Sequence, residues 1–174
     1  MSDRIELQKE DLTALTLPSE AYSAVFWWGV VIHIPEIAKA LDELVRTLAP
    51  GGRLALQLTN VDAWDHKLER MARVVLGKRQ GWKRGPLGEG RWFAQQGGGE
   101  LWVWRVDAER LVAHLEGAGL RFVSRRPVEL TELQWRVPKL FRRPLLALNR
   151  GWEARGAAPE PCATTAFVFE KPAA

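Results

Sequence analysis

The chain of 174 residues contains three histidines, and His33 is the one whose position suggests acid–base chemistry. It follows an apolar run that begins at Ala24, and imidazole is the side chain that titrates near neutral pH. A histidine in that place could take a proton from a bound molecule. The alternative is a packing histidine whose ring is hydrogen bonded inside an apolar segment. His66 and His114 fall on or beside predicted helices, and no spacing of His, Cys and Asp predicts a metal site.

A second group of candidate residues lies where two predicted strands end. Asp11 follows a short strand-like run, and Trp27, Trp28 and Gly29 lie near the end of the apolar run. Because ligands bind beyond the carboxyl ends of the strands of an open parallel sheet, these residues would share one rim. A Trp ring can hold a cation over its face, although core packing is its ordinary role. The alternative for Asp11 is a carboxylate in a surface turn.

The elements that must position these residues are a strand, a loop, a helix and a second strand within residues 4–60. Residues 24–32 do not alternate between apolar and polar, which indicates a central parallel strand covered on both faces. From Pro35 the apolar residues recur at helical spacing, and Pro50-Gly51-Gly52 predicts the end of that helix. Residues 53–58 are then the next strand.

Downstream, the same reasoning predicts two helices and three more strands. Asp62 is a plausible N-cap for a helix that runs to Gly77. Asp107 begins another helix, which ends at Gly119. The apolar runs 101–106, 120–123 and 163–169 are predicted strands.

These residues resemble one family, the class I S-adenosylmethionine (SAM)-dependent methyltransferases. That family commonly shows an Asp after its third strand, an L-P turn, an F-D-x-V strand start, a V-L-H-H-I-P segment and an R-x-L-x-P-G-G turn. The corresponding residues, in the same order, are Asp11, Leu17-Pro18, 22–25, 30–35 and 46–52. Two positions differ, since Ser23 replaces an Asp and Ile32 replaces the first His of the pair.

The resemblance implies an α/β fold with a partial Rossmann-like sheet, mostly parallel with an antiparallel C-terminal strand, flanked by helices. It implies SAM as the cofactor. Asp11 would accept a hydrogen bond from the adenine amino group, the backbone of Leu12 would lie beside the ring, and Trp27, Trp28 and Gly29 would line the methionine portion. Methyl transfer depends mainly on proximity and orientation, so His33 would act as a base only when the acceptor must lose a proton.

In that family the glycine-rich cofactor loop and the first two strands precede the residues that match 4–11. We therefore expect a single methyltransferase-like domain over 1–174 that is truncated at its N-terminus relative to the family, or a fragment of a longer protein. The strands at 5–7 and 24–28 would lose the neighbours that separate them. An exposed sheet edge invites pairing, so we expect a homodimer or a partner chain at this edge.

Two further segments are predicted to lie around the site. Residues 77–99 are basic and rich in glycine, and they suggest a mobile, lid-like loop rather than a replacement cofactor loop. Residues 130–152 suggest a helical insertion in which Pro138 and Pro144 break any single long helix. This insertion would cover the mouth of the active site or present a basic face.

The composition sets outer limits on the function. The formal net charge is +4, and clusters of Arg and Lys leave an anionic partner open, but no nucleic-acid module accompanies them. The single Cys162 precludes an internal disulfide, which favours a reducing cytoplasm. No apolar run approaches the roughly 20 residues of a membrane span.

Three functions are consistent with these observations. The first is a SAM-dependent methyltransferase, or the C-terminal part of one, that acts on a small molecule. The second is a noncatalytic methyltransferase-like protein that dimerises or supports a partner. The third is a binding module for an anionic polymer, which rests only on the basic clusters.

Overall fold

The computed structural model describes residues 5–78, 81–95, 97–134, the backbone of 135, and residues 137–173. The strands are β1 (Tyr22–Trp28), β2 (Leu48–Thr59), β3 (Lys83–Gly85), β4 (Gly88–Ala94), β5 (Glu100–Val106), β6 (Arg121–Glu129) and β7 (Thr164–Glu170). The helices are α1 (Ile37–Thr47), α2 (Trp64–Val75), α3 (Ala108–Gly117) and α4 (Lys139–Ala154). Short 3-10 helices occupy Val31–His33 and Leu133–Trp135.

The main sheet has the strand order β1-β2-β7-β6. β1 pairs with β2 in parallel, with Trp27 opposite Leu56. β7 is antiparallel to both β2 and β6, so β1, β2 and β6 run in the same direction. This arrangement confirms the predicted mostly parallel sheet with an antiparallel C-terminal strand.

The helix α1 packs on this sheet through the face that the apolar spacing predicted. Ile37, Leu41 and Leu44 are buried and belong to one core cluster with the β2 and β7 side chains. The helix ends at Thr47, and β2 already begins at Leu48, before the Pro50-Gly51-Gly52 turn. The predicted helix and strand are therefore confirmed, while their boundary lies earlier than the turn residues suggested.

β1 is an edge strand, which corrects the prediction of a central strand covered on both faces. The side chains of Phe26 and Trp28 are 66% and 48% exposed. Residues 5–7 form no strand and are exposed, and Arg4 lies outside the described residues. A strand pairs its backbone N–H and C=O groups with those of a neighbouring strand. Residues 5–7 have no such neighbour among the described residues, and water can satisfy their exposed backbone groups instead.

The segment 77–99 is not one continuous loop, because it contains β3 and β4. These strands form an antiparallel sheet with β5 in the order β3-β4-β5. A Cβ at Gly85 would overlap the ring of Trp104, and one at Gly90 would overlap the ring of Trp102. The glycines therefore make room for indole rings on a sheet, whereas the composition alone suggested a mobile loop; a lid role stays a prediction.

Two of the other three helices, α2 and α4, differ from prediction at the N-terminal end or in the interior. Ala63 occupies the N-cap position of α2, and the Asp62 carboxylate instead lies 3.1 Å from Nζ of Lys67. α4 continues through Pro144, while Pro138 serves as its N-cap. Pro144 removes only the hydrogen bond to the carbonyl four residues back, near the helix start, where the remaining turns carry the helix. None of the described helices has the length and apolar character needed to cross a bilayer.

Candidate functional site

A partly open cavity of about 220 Å³, here called the histidine cavity, lies beyond the carboxyl ends of β1 and β2. Its floor includes Thr59 at the end of β2 and Ile32 just after β1. Its roof comes from the second sheet, with Phe93 of β4 and Val103 of β5. The full lining is Ile32, His33, Thr59, His66, Trp82, Phe93, Val103, Arg105 and Glu132.

His33 lies in this cavity, and the second sheet holds its ring in place. Its Nδ1 is 2.9 Å from the carbonyl oxygen of Trp102. A carbonyl can only accept, so Nδ1 carries the proton, and in the neutral ring Nε2 is the basic nitrogen. Nε1 of Trp104 donates to the carbonyl of Ile34 over 2.8 Å and fixes β5 to the same segment.

A second histidine, His66, lines the same cavity, which the sequence analysis did not predict. Its side chain is nearly fully buried, and Nδ1 lies 2.7 Å from the carbonyl oxygen of Asn60. That carbonyl is oriented by the Asn60 side chain, whose Nδ2 donates to the carbonyls of Glu160 and Cys162 over 2.7 and 3.1 Å. His66 therefore has the same assigned tautomer as His33, with the basic nitrogen at Nε2.

Asp65 lies beside His66 and connects the cavity to α4. Its Oδ2 accepts hydrogen bonds from Oγ1 of Thr131 and the backbone N–H of Glu132, at 3.1 and 3.0 Å. Asn149 of α4 holds Thr131 through both its side-chain oxygen and its nitrogen. The other carboxylate oxygen, Oδ1, is buried without a hydrogen-bond partner among the described residues and lies 4.0 Å from Nε2 of His66.

Arg105 contributes a guanidinium whose charge is balanced inside the protein. Its Nη2 is 2.6 Å from Oε2 of Glu69, and its Nη1 is 3.8 Å from Oε1 of Glu89. The guanidinium also stacks on the ring of Trp82, with 4.0 Å from Cζ to the ring centroid. It therefore acts as a structural link between α2, β4 and β5.

A second depression, here called the open groove, runs along the free edge of β1 and has a volume of about 480 Å³. Residues 5–17 form its other wall. Its lining is Glu6, Gln8, Glu10, Leu12, Leu15, Leu17, Tyr22, Ala24, Val25, Phe26, Trp27, Leu44 and Thr47. The groove therefore occupies the place where a further strand would lie against β1.

Of the five predicted cofactor residues, two line the open groove and three do not. Leu12 and Trp27 line the open groove together. Asp11 is exposed and does not line it; its carboxylate accepts from the backbone N–H and the hydroxyl of Thr13, which lowers its pKa. Trp28 stacks on Phe26 with 5.5 Å between ring centroids, and Gly29 has a φ of +68° directly after the strand.

The open groove fits one wall of a nucleoside site. Leu12, Leu17 and Trp27 offer apolar surface for a base, and Glu6 supplies a carboxylate that suits hydroxyl groups or a cation. The carboxylate of Glu10 is already used locally, because it accepts from the backbone and the hydroxyl of Thr16. The glycine-rich loop of the family has no counterpart in the described residues, since 85–90 belong to the β3–β4 hairpin.

Comparison with known proteins supports the family resemblance. Residues 1–56 match the sequence model of the methyltransferase domain family. Among solved structures, a SAM-dependent methyltransferase from Methanosarcina mazei has 16% identity and a TM-score of 0.58, with 95% of this chain and 66% of that chain covered. The [4+2]-cyclase SpnF has 20% identity and a TM-score of 0.54, with 99% of this chain and 58% of that chain covered.

A third solved structure is a complex between the Trm112 methyltransferase activator of Haloferax volcanii and a methyltransferase. It has 12% identity and a TM-score of 0.52, with 93% of this chain and 59% of that chain covered. No curated protein matches the chain. The chain thus spans 58 to 66% of the length of these three structures.

These matches confirm the resemblance to class I SAM-dependent methyltransferases, through the domain match in the N-terminal third and the fold of the whole chain. They support SAM as the cofactor of this fold. The positions of individual cofactor contacts stay predictions.

Proposed function

We propose that this chain acts in the SAM-dependent transfer of a methyl group to a small-molecule acceptor. The observation that carries the proposal is the histidine cavity, which contains His33 in the short 3-10 helix that follows β1. The open groove begins at Trp27 on the same segment, so a cofactor in the groove and an acceptor in the cavity would be neighbours. This is the rim at which ligands bind in open α/β sheets.

In this proposal SAM supplies an electrophilic methyl group when bound. Leu12 and Trp27 hold its base and methionine portions on the groove side, while Asp11, Trp28 and Gly29 are next to these residues in sequence and do not line the groove. The cavity walls orient the acceptor and exclude water, which is where most of the rate acceleration of such a displacement arises. Nε2 of His33 is placed to receive a proton from an acceptor that must lose one.

Calorimetry with SAM and with its demethylated product, S-adenosylhomocysteine, tests the cofactor side. We expect both to bind, and we expect Leu12→Glu to weaken binding by about tenfold, or about 1.4 kcal/mol, because a carboxylate would replace apolar surface in the groove. The matched control is Leu140→Glu, on an exposed part of α4. The absence of measurable binding to the folded chain would overturn the proposal.

A noncatalytic or partner-dependent role is the second candidate. It is favoured by the free edge of β1, where Phe26 and Trp28 expose aromatic surface. Two of the similar structures point the same way, since one is a cyclase and another is a methyltransferase in complex with an activator. In this alternative a second copy or a partner chain pairs with β1 and completes the groove.

Adding a partner or concentrating the chain separates the two candidates. If SAM binds only at concentrations at which sedimentation shows a dimer, the groove is completed by the second copy. If SAM binds the monomer, the edge is not needed.

The single, buried Cys162 supports a reducing cytoplasm as the site of action.

A further inference from the structure

The exposed side of α4 carries a row of apolar side chains. Leu140, Pro144 and Leu148 follow one another at intervals of four residues, so they lie along one side of the helix. The side chains of Leu140 and Leu148 are 80% and 46% exposed, and Phe141 beside them is also exposed. A continuous row of this kind marks a surface at which an apolar phase can replace water.

The opposite side of α4 is attached to the rest of the protein. Asn149 is buried and comes nine residues after Leu140, which is about two and a half turns at 3.6 residues per turn and therefore on the other side of the helix. Its Oδ1 accepts from the backbone N–H of Thr131, and its Nδ2 donates to the carbonyl of Thr131, each over 3.1 Å. These two hydrogen bonds fix the rotation of the helix, with the apolar row turned toward solvent.

A row of basic side chains runs beside the apolar row. Lys139, Arg143 and Arg150 are exposed, and they share one side of the helix because they are separated by four and seven residues. None of these three takes part in an ion pair among the described residues. Since α4 contains four basic residues and a single acidic one, its exposed side is positively charged.

Helix α2 also exposes apolar side chains, including Leu68 and Met71, but its charges are arranged differently. Its three basic residues each pair with a carboxylate. The pairs are Lys67 with Asp62 at 3.1 Å, Arg70 with Glu89 at 3.1 Å, and Arg73 with Glu69 at 3.0 Å. Between these two helices, the combination of an apolar row with a basic row that lacks carboxylate partners among the described residues therefore belongs to α4.

A bilayer with anionic headgroups fits this combination. At 16 residues α4 is shorter than the roughly 20 residues of a span, but its pattern is that of a helix that lies in the interface. The apolar side chains enter the acyl boundary, and long basic side chains reach the headgroup phosphates. Fluid lipid adapts to side chains that project from a helix, whereas a nucleic acid would use the basic row and leave Leu140 and Leu148 in water.

From this arrangement we infer that α4 binds the surface of a membrane that contains anionic phospholipids. Its axis lies in the plane of the interface, with Leu140 and Leu148 in the acyl boundary and Arg143 among the headgroups. The inference does not rest on the proposed function, because neither the open groove nor the histidine cavity is lined by a residue of α4.

Cosedimentation of the full chain with lipid vesicles tests the inference. One set of vesicles contains phosphatidylcholine alone, and the other is an equal mixture of phosphatidylcholine and phosphatidylglycerol. We expect at least about tenfold tighter binding to the mixed vesicles, because each basic residue near an anionic surface adds attraction. Added salt should weaken that binding, since it screens exposed charges.

Paired variants identify the helix that is responsible. We expect Leu140→Ser with Leu148→Ser to weaken binding to the mixed vesicles about tenfold or more, because both side chains would otherwise leave water. The matched control is Leu68→Ser with Met71→Ser on α2, which should bind as wild type does. All four side chains are exposed, so thermal unfolding followed by circular dichroism should be nearly unchanged in both variants.

The basic row has its own variant. Lys139→Gln with Arg143→Gln and Arg150→Gln should bring binding to the mixed vesicles close to that to phosphatidylcholine alone.

Equal binding of the wild-type chain to both kinds of vesicle, or equal losses from the α2 and α4 leucine variants, would overturn the inference. Absence of vesicle binding together with self-association that the α4 variant abolishes would also overturn it, and would assign the apolar row to contact between copies of the chain. Binding to DNA that is as tight as binding to the mixed vesicles and indifferent to Leu140→Ser would reject it in favour of an anionic polymer.

Discussion

The two sides of the β1–β2 pair have opposite character. On the side of the histidine cavity, His66, Asn60 and Asp65 are buried in a network of hydrogen bonds that reaches α4. On the side of the open groove, no strand of the described residues pairs with β1, which exposes Phe26 and Trp28. The comparison teaches that the cavity side is held by a polar network between distant segments, whereas the groove side is bounded by an unpaired strand edge and the segment 5–17.

The largest contrast between the two sides should appear in core truncations. Leu56 of β2 is fully buried, so we expect Leu56→Ala to lower the free energy of unfolding by about 2–5 kcal/mol. The side chain of Phe26 is mostly exposed to water. We therefore expect Phe26→Ala to lower the free energy of unfolding by less than about 1 kcal/mol. Urea denaturation measures both. Equal losses would mean that the β1 edge is covered in solution.

The next largest effect concerns the polar network. Asn60→Ala removes the amide that donates to two carbonyls and the oxygen that accepts from the backbone of Asp62. We expect a loss of about 2 kcal/mol, since buried backbone groups would be left unsatisfied. The matched control is Gln8→Ala in the exposed N-terminal segment, for which urea denaturation should show almost no change. An equally small loss for Asn60→Ala would show that water replaces its bonds.

A smaller, pH-dependent effect is expected where the N-terminal segment is attached to α1. Glu43 accepts from Arg46 and from the backbone N–H of Leu15, and the hydrogen bond from Arg46 is the main cause of its lowered pKa. A carboxyl group with a lowered folded-state pKa adds stability above its unfolded pKa, and this stability is lost as the pH falls through the folded value. Glu43→Gln should therefore be less stable than wild type at pH 7.

That difference should shrink on acidification, which denaturation curves at several pH values between about 2 and 7 would reveal. Glu116→Gln, at an exposed position of α3, is the control and should leave the stability unchanged across the range. A Glu43→Gln deficit that persists unchanged at the acid end would show that the side chain acts through packing rather than charge.

The smallest effect on stability, with the clearest effect on association, is expected for Phe26→Lys. A lysine on an exposed edge strand opposes strand pairing between chains. We expect the wild-type chain to self-associate as its concentration rises and the variant to sediment as a monomer, with nearly unchanged unfolding. Val123→Lys, at an exposed position of β6, is the control. Association that survives Phe26→Lys would place the contact elsewhere.

Local patterns in the sequence predicted the elements whose stabilising contacts are close along the chain. The helix α3 was located from Asp107, whose carboxylate accepts from the backbone N–H groups of Glu109 and Arg110 at its N-terminus. Cys162, next to the predicted strand 163–169, is buried, and that burial raises the pKa of its thiol. These features depend on periodicity and capping, which a single sequence displays directly.

The parts that sequence reasoning missed depend on contacts between distant segments. The glycines of 85–90 looked like a loop because their partners, Trp102 and Trp104, lie on another strand. His66 looked like a helix-surface residue, since nothing local shows that the carbonyl of Asn60 and the roof of the second sheet enclose it. The adjacent Asp65 and His66 at the start of a helix are a pair that could have indicated a polar site. Their burial could be recognised only from the contacts of Asp65 with Thr131 and of Thr131 with Asn149.

By itself the sequence determined the class of fold, the order of most strands and helices after residue 21, with 83–94 excepted, and the resemblance to SAM-dependent methyltransferases. Periodic burial and short turn motifs are local properties, so they can be read along the chain. Only the tertiary structure decided that β1 is an edge, that 83–94 form a sheet, and that His33 and His66 share one cavity. Those outcomes depend on which surfaces meet, because the contacts that create them join residues up to about 70 positions apart.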